Sequence, residues 1–117
     1  MSPRRSAAIR IFPIMHTVVI RRELQEAHPF LATALYRAFC QAKEVALGRM
    51  NYRSTLRYML PWMHSELDDI ERTFGADPWP YGIEPNRPTL EALLRYLEEQ
   101  GVIAKAPAVD ELFVPVS

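Results

Sequence analysis

Apolar positions along the chain fall into one period-two run followed by several period-3.6 runs. The run "IFPIMHTVVI", residues 11–20, is rich in Ile and Val and stops at the charged "RRE", which predicts a strand. Pro13 has no N–H to donate, so the strand is expected to begin after it or to run along an edge. A single strand forms no sheet, so the segment requires a partner. "RRELQEAHP" reads as a helical turn that ends before Pro29, a residue suited to the first turn of a new helix. From there Leu31, Leu35, Ala38, Phe39, Ala42, Val45 and Ala46 recur at helical spacing and predict a helix over residues 29–50. This stripe is rich in alanine and permits close approach of a partner element.

Ser54 is placed to cap a short helix over residues 55–59. Pro61 would remove a hydrogen bond and clash inside a helix, so a fresh one is expected over residues 61–74. In it Met63, Leu67, Ile70 and Phe74 alternate spacings of four and three, and Gly75 supplies the stop. After the rigid loop "DPWPYGIEP", Asn86 is a good N-cap, Pro88 falls in the first turn, and Leu90, Leu93, Leu94 and Leu97 line one helical face. Gly101 ends that helix, and "ELFVP" is expected to dock back on the body. The expected fold is mainly α: about four helices plus one N-terminal strand, in a single domain over residues 1–117.

Composition narrows the function classes. Fourteen basic and fourteen acidic residues cancel, so no global field favours nucleic acid or an anionic membrane. Arg4, Arg5 and Arg10 stand without an acid in the first ten residues, which reads as a solvated, flexible basic tail. The longest apolar run is too short to span a bilayer and no secretory signal core precedes it, so the expected address is the cytoplasm. Cys40 is the only cysteine, which rules out an intrachain disulfide and reads as a small core hydrophobe.

Several residues could carry chemistry, each beside a plainer use. His16 stands in the strand-like run, where it could act as general acid or base, or simply bond to backbone. His28 reads as a turn residue, His64 as part of a solvated helix face, and the histidines and cysteine form no zinc pattern. Arg21 and Arg22 could clamp a carboxylate, or make surface ion pairs with Glu23 or Glu26. Arg87, at a helix N-terminus, is a second carboxylate-binding candidate. Trp79, Tyr81 and Glu84 combine two flat rings with an acid, suited to stacking on an aromatic ligand or to filling a groove between parts of the protein.

Two phrases carry a resemblance: "IFPIMHTVVIRRELQEAHPFLATALYRAFCQAKEVAL" and "DPWPYGIEPNRPTLEALLRYLEEQG", closed by "DELFVP". From residue 11 to 114 the chain resembles the C-terminal third of the 4,5-dihydroxyphthalate decarboxylase family, whose fold is of the two-lobed α/β, type 2 periplasmic-binding-protein kind. The resemblance implies a crossover strand over residues 11–20 and a cleft that one copy of this chain does not complete. It implies association with a second copy, or with a partner chain that supplies the missing lobe. It also implies a small aromatic carboxylate substrate that loses carbon dioxide by ring protonation, with no cofactor demanded. On that chemistry His16 is the proton donor, Arg21 or Arg22 the carboxylate clamp, and Tyr81 and Glu84 the partners of the catechol oxygens. Trp79 and Arg87 would complete the substrate-binding set. Two other readings stay open: a module that binds a small aromatic or carboxylate ligand without chemistry, and a non-catalytic chain dependent on a partner.

Overall fold

The computed structural model describes residues 14–54 and 58–116. They form four α-helices: α1 (Arg22–Ala27), α2 (Leu31–Met50), α3 (Met63–Phe74) and α4 (Arg87–Glu99). Single 3-10 turns cover Glu84–Asn86 and Val109–Glu111. The basic tail expected over residues 1–10, the start of the expected strand (11–13) and residues 55–57 of the expected short helix lie outside the described residues.

The expected strand is not present over its described part. Residues 14–20 form no strand, and no described residue belongs to a sheet. Met15, Val18 and Val19 are 80, 65 and 87% exposed. The Ile/Val pattern reports side chains that favour a covered, pleated surface, but a strand also needs a ladder of backbone partners. No second segment among the described residues offers one. The mainly α part of the expectation holds; the strand does not.

Arg21 starts α1, its carbonyl accepting from the N–H groups of Leu24 and Gln25 at 3.1 Å each. His28 leaves the helix with φ −135° and ψ 75°, away from the α region as a residue before proline prefers. The Gln25 Nε2 then donates to the Pro29 carbonyl at 3.1 Å, and α2 begins two residues later.

The face of α2 that the chain covers matches the apolar stripe read in the sequence only at its start, where Leu31 and Leu35 are half-buried. Ala32 is buried, and Tyr36, Cys40, Lys43, Leu47 and Met50, spaced four, three, four and three, are half-buried. Ala38, Phe39, Ala42, Val45 and Ala46 are exposed. Lys43 belongs to the covered face because the loop after α3 offers its ammonium partners, and Tyr36 lies against Gly82 of that loop.

Tyr58 and Met59 are not helical, so the short helix ahead of Pro61 is not realised in its described part. Pro61 and Trp62 instead make a turn closed by the Met63 N–H to the Leu60 carbonyl at 3.1 Å. In α3 the expected stripe of Met63, Leu67, Ile70 and Phe74 is half-buried as a set. Met50, Leu60, Trp62, Met63, Leu67 and Ile70 contribute to an apolar groove of about 320 Å³. Arg53 ties the chain before this turn to Asp68 of α3, whose carboxyl that hydrogen bond holds below the usual carboxylate range. His64 does not stand on a solvated face as expected: its Nδ1 is buried.

The small core lies at the C-terminal end. Leu90 and Leu94 of α4 pack with Val109, flanked by Ile83, Ile103, Ala106 and Phe113. Leu93, expected on the same face, is 52% exposed. Gly101, at φ +70°, turns the chain after α4 in the left-handed region that glycine adopts most readily. The tail thus docks back on the body, as its apolar pattern anticipates, through Val109 and Phe113. Large apolar side chains nevertheless stand open to solvent, among them Val19, Met59 and Trp62, which are 87, 99 and 74% exposed. No described helix is long and apolar enough to cross a membrane.

Candidate functional site

The loop from Asp77 to the start of α4 is held at three places. Lys43 reaches it from α2, its Nζ bonding the Asp77 carboxylate at 2.5 Å and the Trp79 carbonyl at 3.2 Å. The same ammonium lies 4.3 Å from the centroid of the Tyr81 ring, a cation–π distance. The Asp77 carboxylate also accepts the Trp79 N–H at 3.2 Å, closing a local turn. At the far end, the Asn86 Nδ2 donates to the Pro80 and Gly82 carbonyls at 2.7 and 2.9 Å. Asn86 does stand at the N-cap of α4, but its side chain turns back to the loop and caps nothing in the helix.

Gly82 takes φ +98°, and a Cβ there would stand 3.3 Å from the Tyr36 hydroxyl. The loop therefore packs against α2 through backbone as well as side chains. Burial, then the hydrogen bond with Cys40, pushes the Tyr36 phenol above its usual value.

Arg87 forms the third anchor. Its guanidinium pairs with Glu84 at 2.6 Å and with Asp110 at 2.8 Å. Second contacts at 3.4 Å reach the other oxygen of each carboxylate. The hydrogen bonds to Glu84 and Asp110 raise the Arg87 pKa further above its ordinary value, and Arg87 holds both carboxyls below the usual carboxylate range. These contacts use four of the five guanidinium N–H groups, so a substrate carboxylate could gain a two-bond clamp on Arg87 only in exchange for one of these acids.

The structure thus joins Glu84 directly to Arg87 and sets Trp79 and Tyr81 on one anchored loop, each 43% exposed. Trp79 borders a crevice of about 70 Å³ with Leu47, Leu67 and Pro78, room for water but not for an aromatic acid. A ligand would therefore lie on the outward ring faces. His16, Arg21 and Arg22 are exposed on the segment leading into α1 and at its first residue. Sequence pattern alone passes over Lys43, Asp77 and Asp110, and marks Asn86 only as a helix cap. Only Lys43 carried a local signal: it falls on the same helix face as Tyr36, Cys40 and Leu47.

The chain is 36% identical over 108 residues to 4,5-dihydroxyphthalate decarboxylase of Comamonas testosteroni. That alignment covers 92% of this chain and 33% of the relative. No family model matches the chain. The resemblance to the 4,5-dihydroxyphthalate decarboxylase family is borne out over nearly the whole chain, which spans about a third of that relative's length.

Proposed function

We propose that this chain contributes part of the site of an aromatic acid decarboxylase of the 4,5-dihydroxyphthalate type. The observation that carries the reading is the 36% identity extending over 92% of the chain. The anchored loop supports it, because Trp79 and Tyr81 present exposed ring faces beside a fixed cation, as recognition of a flat anionic ring requires. The proposed site is completed by a second copy or a partner chain laid against the apolar surface this chain leaves open.

The substrate carries two adjacent carboxylates and two phenolic hydroxyls. The hydroxyl para to the departing carboxylate, hydrogen-bonded to Glu84 or Tyr81, pushes electron density onto the carbon that bears that carboxylate. His16 as imidazolium delivers a proton to this carbon. The bond to the carboxylate then breaks, its electron pair returns to the ring, carbon dioxide leaves, and the imidazole takes a proton from solvent. Arg21 or Arg22 holds the carboxylate that stays.

Incubation with 4,5-dihydroxyphthalate, followed for 3,4-dihydroxybenzoate by chromatography, tests this reading. Turnover that His16→Ala abolishes without loss of binding supports it. Binding with no carbon dioxide released supports a binding module instead, and absence of both binding and turnover sinks both readings.

A further inference from the structure

Lys43 has a use that neither helix propensity nor surface charge explains. A helical lysine normally points its ammonium into water, yet this side chain is only 16% exposed. An ammonium has three N–H groups and no acceptor. One goes to the Asp77 carboxylate at 2.5 Å and one to the Trp79 carbonyl at 3.2 Å. The third is left to the Tyr81 ring face, 4.3 Å away. These partners lie 34 to 38 residues along the chain from Lys43, and they bracket the two rings of the loop.

With its donors so used, Lys43 has none left for a substrate anion. We infer that Lys43 is a positioning residue: it fixes the backbone at Trp79 and the ring face of Tyr81 against α2, so that both rings stand ready for a flat aromatic acid. That choice of ligand rests on the function proposed above; the hold on the loop does not. Neighbouring geometry agrees. Gly82 passes so near the Tyr36 hydroxyl that an added Cβ would stand 3.3 Å from it. A lysine stem of four carbons is long enough to reach past that contact to the carbonyl beyond. The cation also lies behind the Tyr81 ring, where it draws electron density from the opposite face and makes that face a better platform for an electron-rich catechol.

The test uses the whole chain carrying Trp62→Phe, which leaves Trp79 as the one tryptophan. Acrylamide quenching of Trp79 fluorescence is compared among Lys43, Lys43→Met and Lys43→Arg, with far-ultraviolet circular dichroism reporting the helices. Lys43→Met is expected to raise the quenching constant about twofold as the loop gains local freedom, with the helical signal unchanged. Lys43→Arg, which keeps the charge and the ring contact, is expected to restore it. Equal quenching in all three overturns the inference. If Lys43→Met does not fold, Asp77→Asn, which keeps the lysine and removes its strongest partner, must raise quenching in its place; no change there overturns it as well.

Calorimetric titration with 4,5-dihydroxyphthalate then separates the two readings. Lys43→Met is expected to bind ~tenfold more weakly than the parent, the scale of loss when a positioning group is removed. Equal affinity in the two overturns the role of Lys43 in preparing the rings. A parent that binds nothing, with the quenching response intact, sinks the proposed substrate and leaves the hold of Lys43 on the loop standing.

Discussion

The side-chain amide of Asn86 donates to the carbonyl of Pro80 across six residues at 2.7 Å, which closes the proline-rich loop onto the start of α4. A second bond from the same nitrogen reaches Gly82 at 2.9 Å. Asn86→Asp replaces a donor by an acceptor and sets a carboxylate against two carbonyl oxygens. The expected loss is about 2–3 kcal/mol, against about 1 kcal/mol for Asn86→Ser. Urea denaturation of the two variants checks the order.

Arg87 makes stability depend on pH. Glu84 and Asp110 are held below the usual carboxylate range by its hydrogen bonds, so folding favours their charged forms. A depressed folded-state pKa contributes stability that is fully present above the unfolded value, about 4 for these acids. That stability is lost as pH falls through the lower folded value. Arg87→Met should therefore melt below the parent at neutral pH, and the gap should narrow on acidification below about pH 4. Thermal melts at a series of pH values read the gap directly; a gap that widens in acid would refute the linkage.

Gly82 combines two constraints that mutation can separate. At φ +98° any other residue is strained by about 1–3 kcal/mol, and an added Cβ also meets the Tyr36 hydroxyl at 3.3 Å. Gly82→Ala should destabilise the chain, and adding Tyr36→Phe should recover only the part due to the contact. Full recovery in the double variant would show that backbone conformation contributes nothing.

Leu93 and Leu94 are adjacent in sequence and opposite in environment, 52 and 9% exposed. Leu94→Ala removes packing against Leu90 and Val109 and should cost about 2–3 kcal/mol. Leu93→Ala should change stability by less than about 0.5 kcal/mol in the isolated chain. The same urea titration compares them.

The helices were readable because their signals are local. Leu31–Met50 matches the periodicity that starts at Pro29, and α3 and α4 end at or just before Gly75 and Gly101, the stops read from glycine alone. The strand failed because an Ile/Val run records a wish for cover, whereas a strand is defined by backbone partners supplied from elsewhere. The covered face of α2 was misread for a related reason. Two stripes of that helix satisfy the spacing rule, and which one the chain covers depends on Asp77, Trp79 and Tyr81, more than thirty residues away. Arg87 was singled out as a cation awaiting a carboxylate, but the acid that fills half of its valence, Asp110, lies 23 residues downstream and no periodicity connects them. The candidate loop was visible as a stretch of unusual composition; the anchors that shape it were not.

The apolar side chains left open after Met50 bear on the response to denaturant. Met59, Leu60 and Trp62 are 99, 59 and 74% exposed, so folding of this chain by itself takes little of their surface from water. The slope of unfolding free energy against urea and the heat-capacity step both scale with newly exposed surface. Both should be shallow for this chain by itself, giving a broad melt. A polypeptide laid over Met59, Leu60 and Trp62 would steepen the slope while raising the midpoint, so the steepness of the transition reports whether that face is covered.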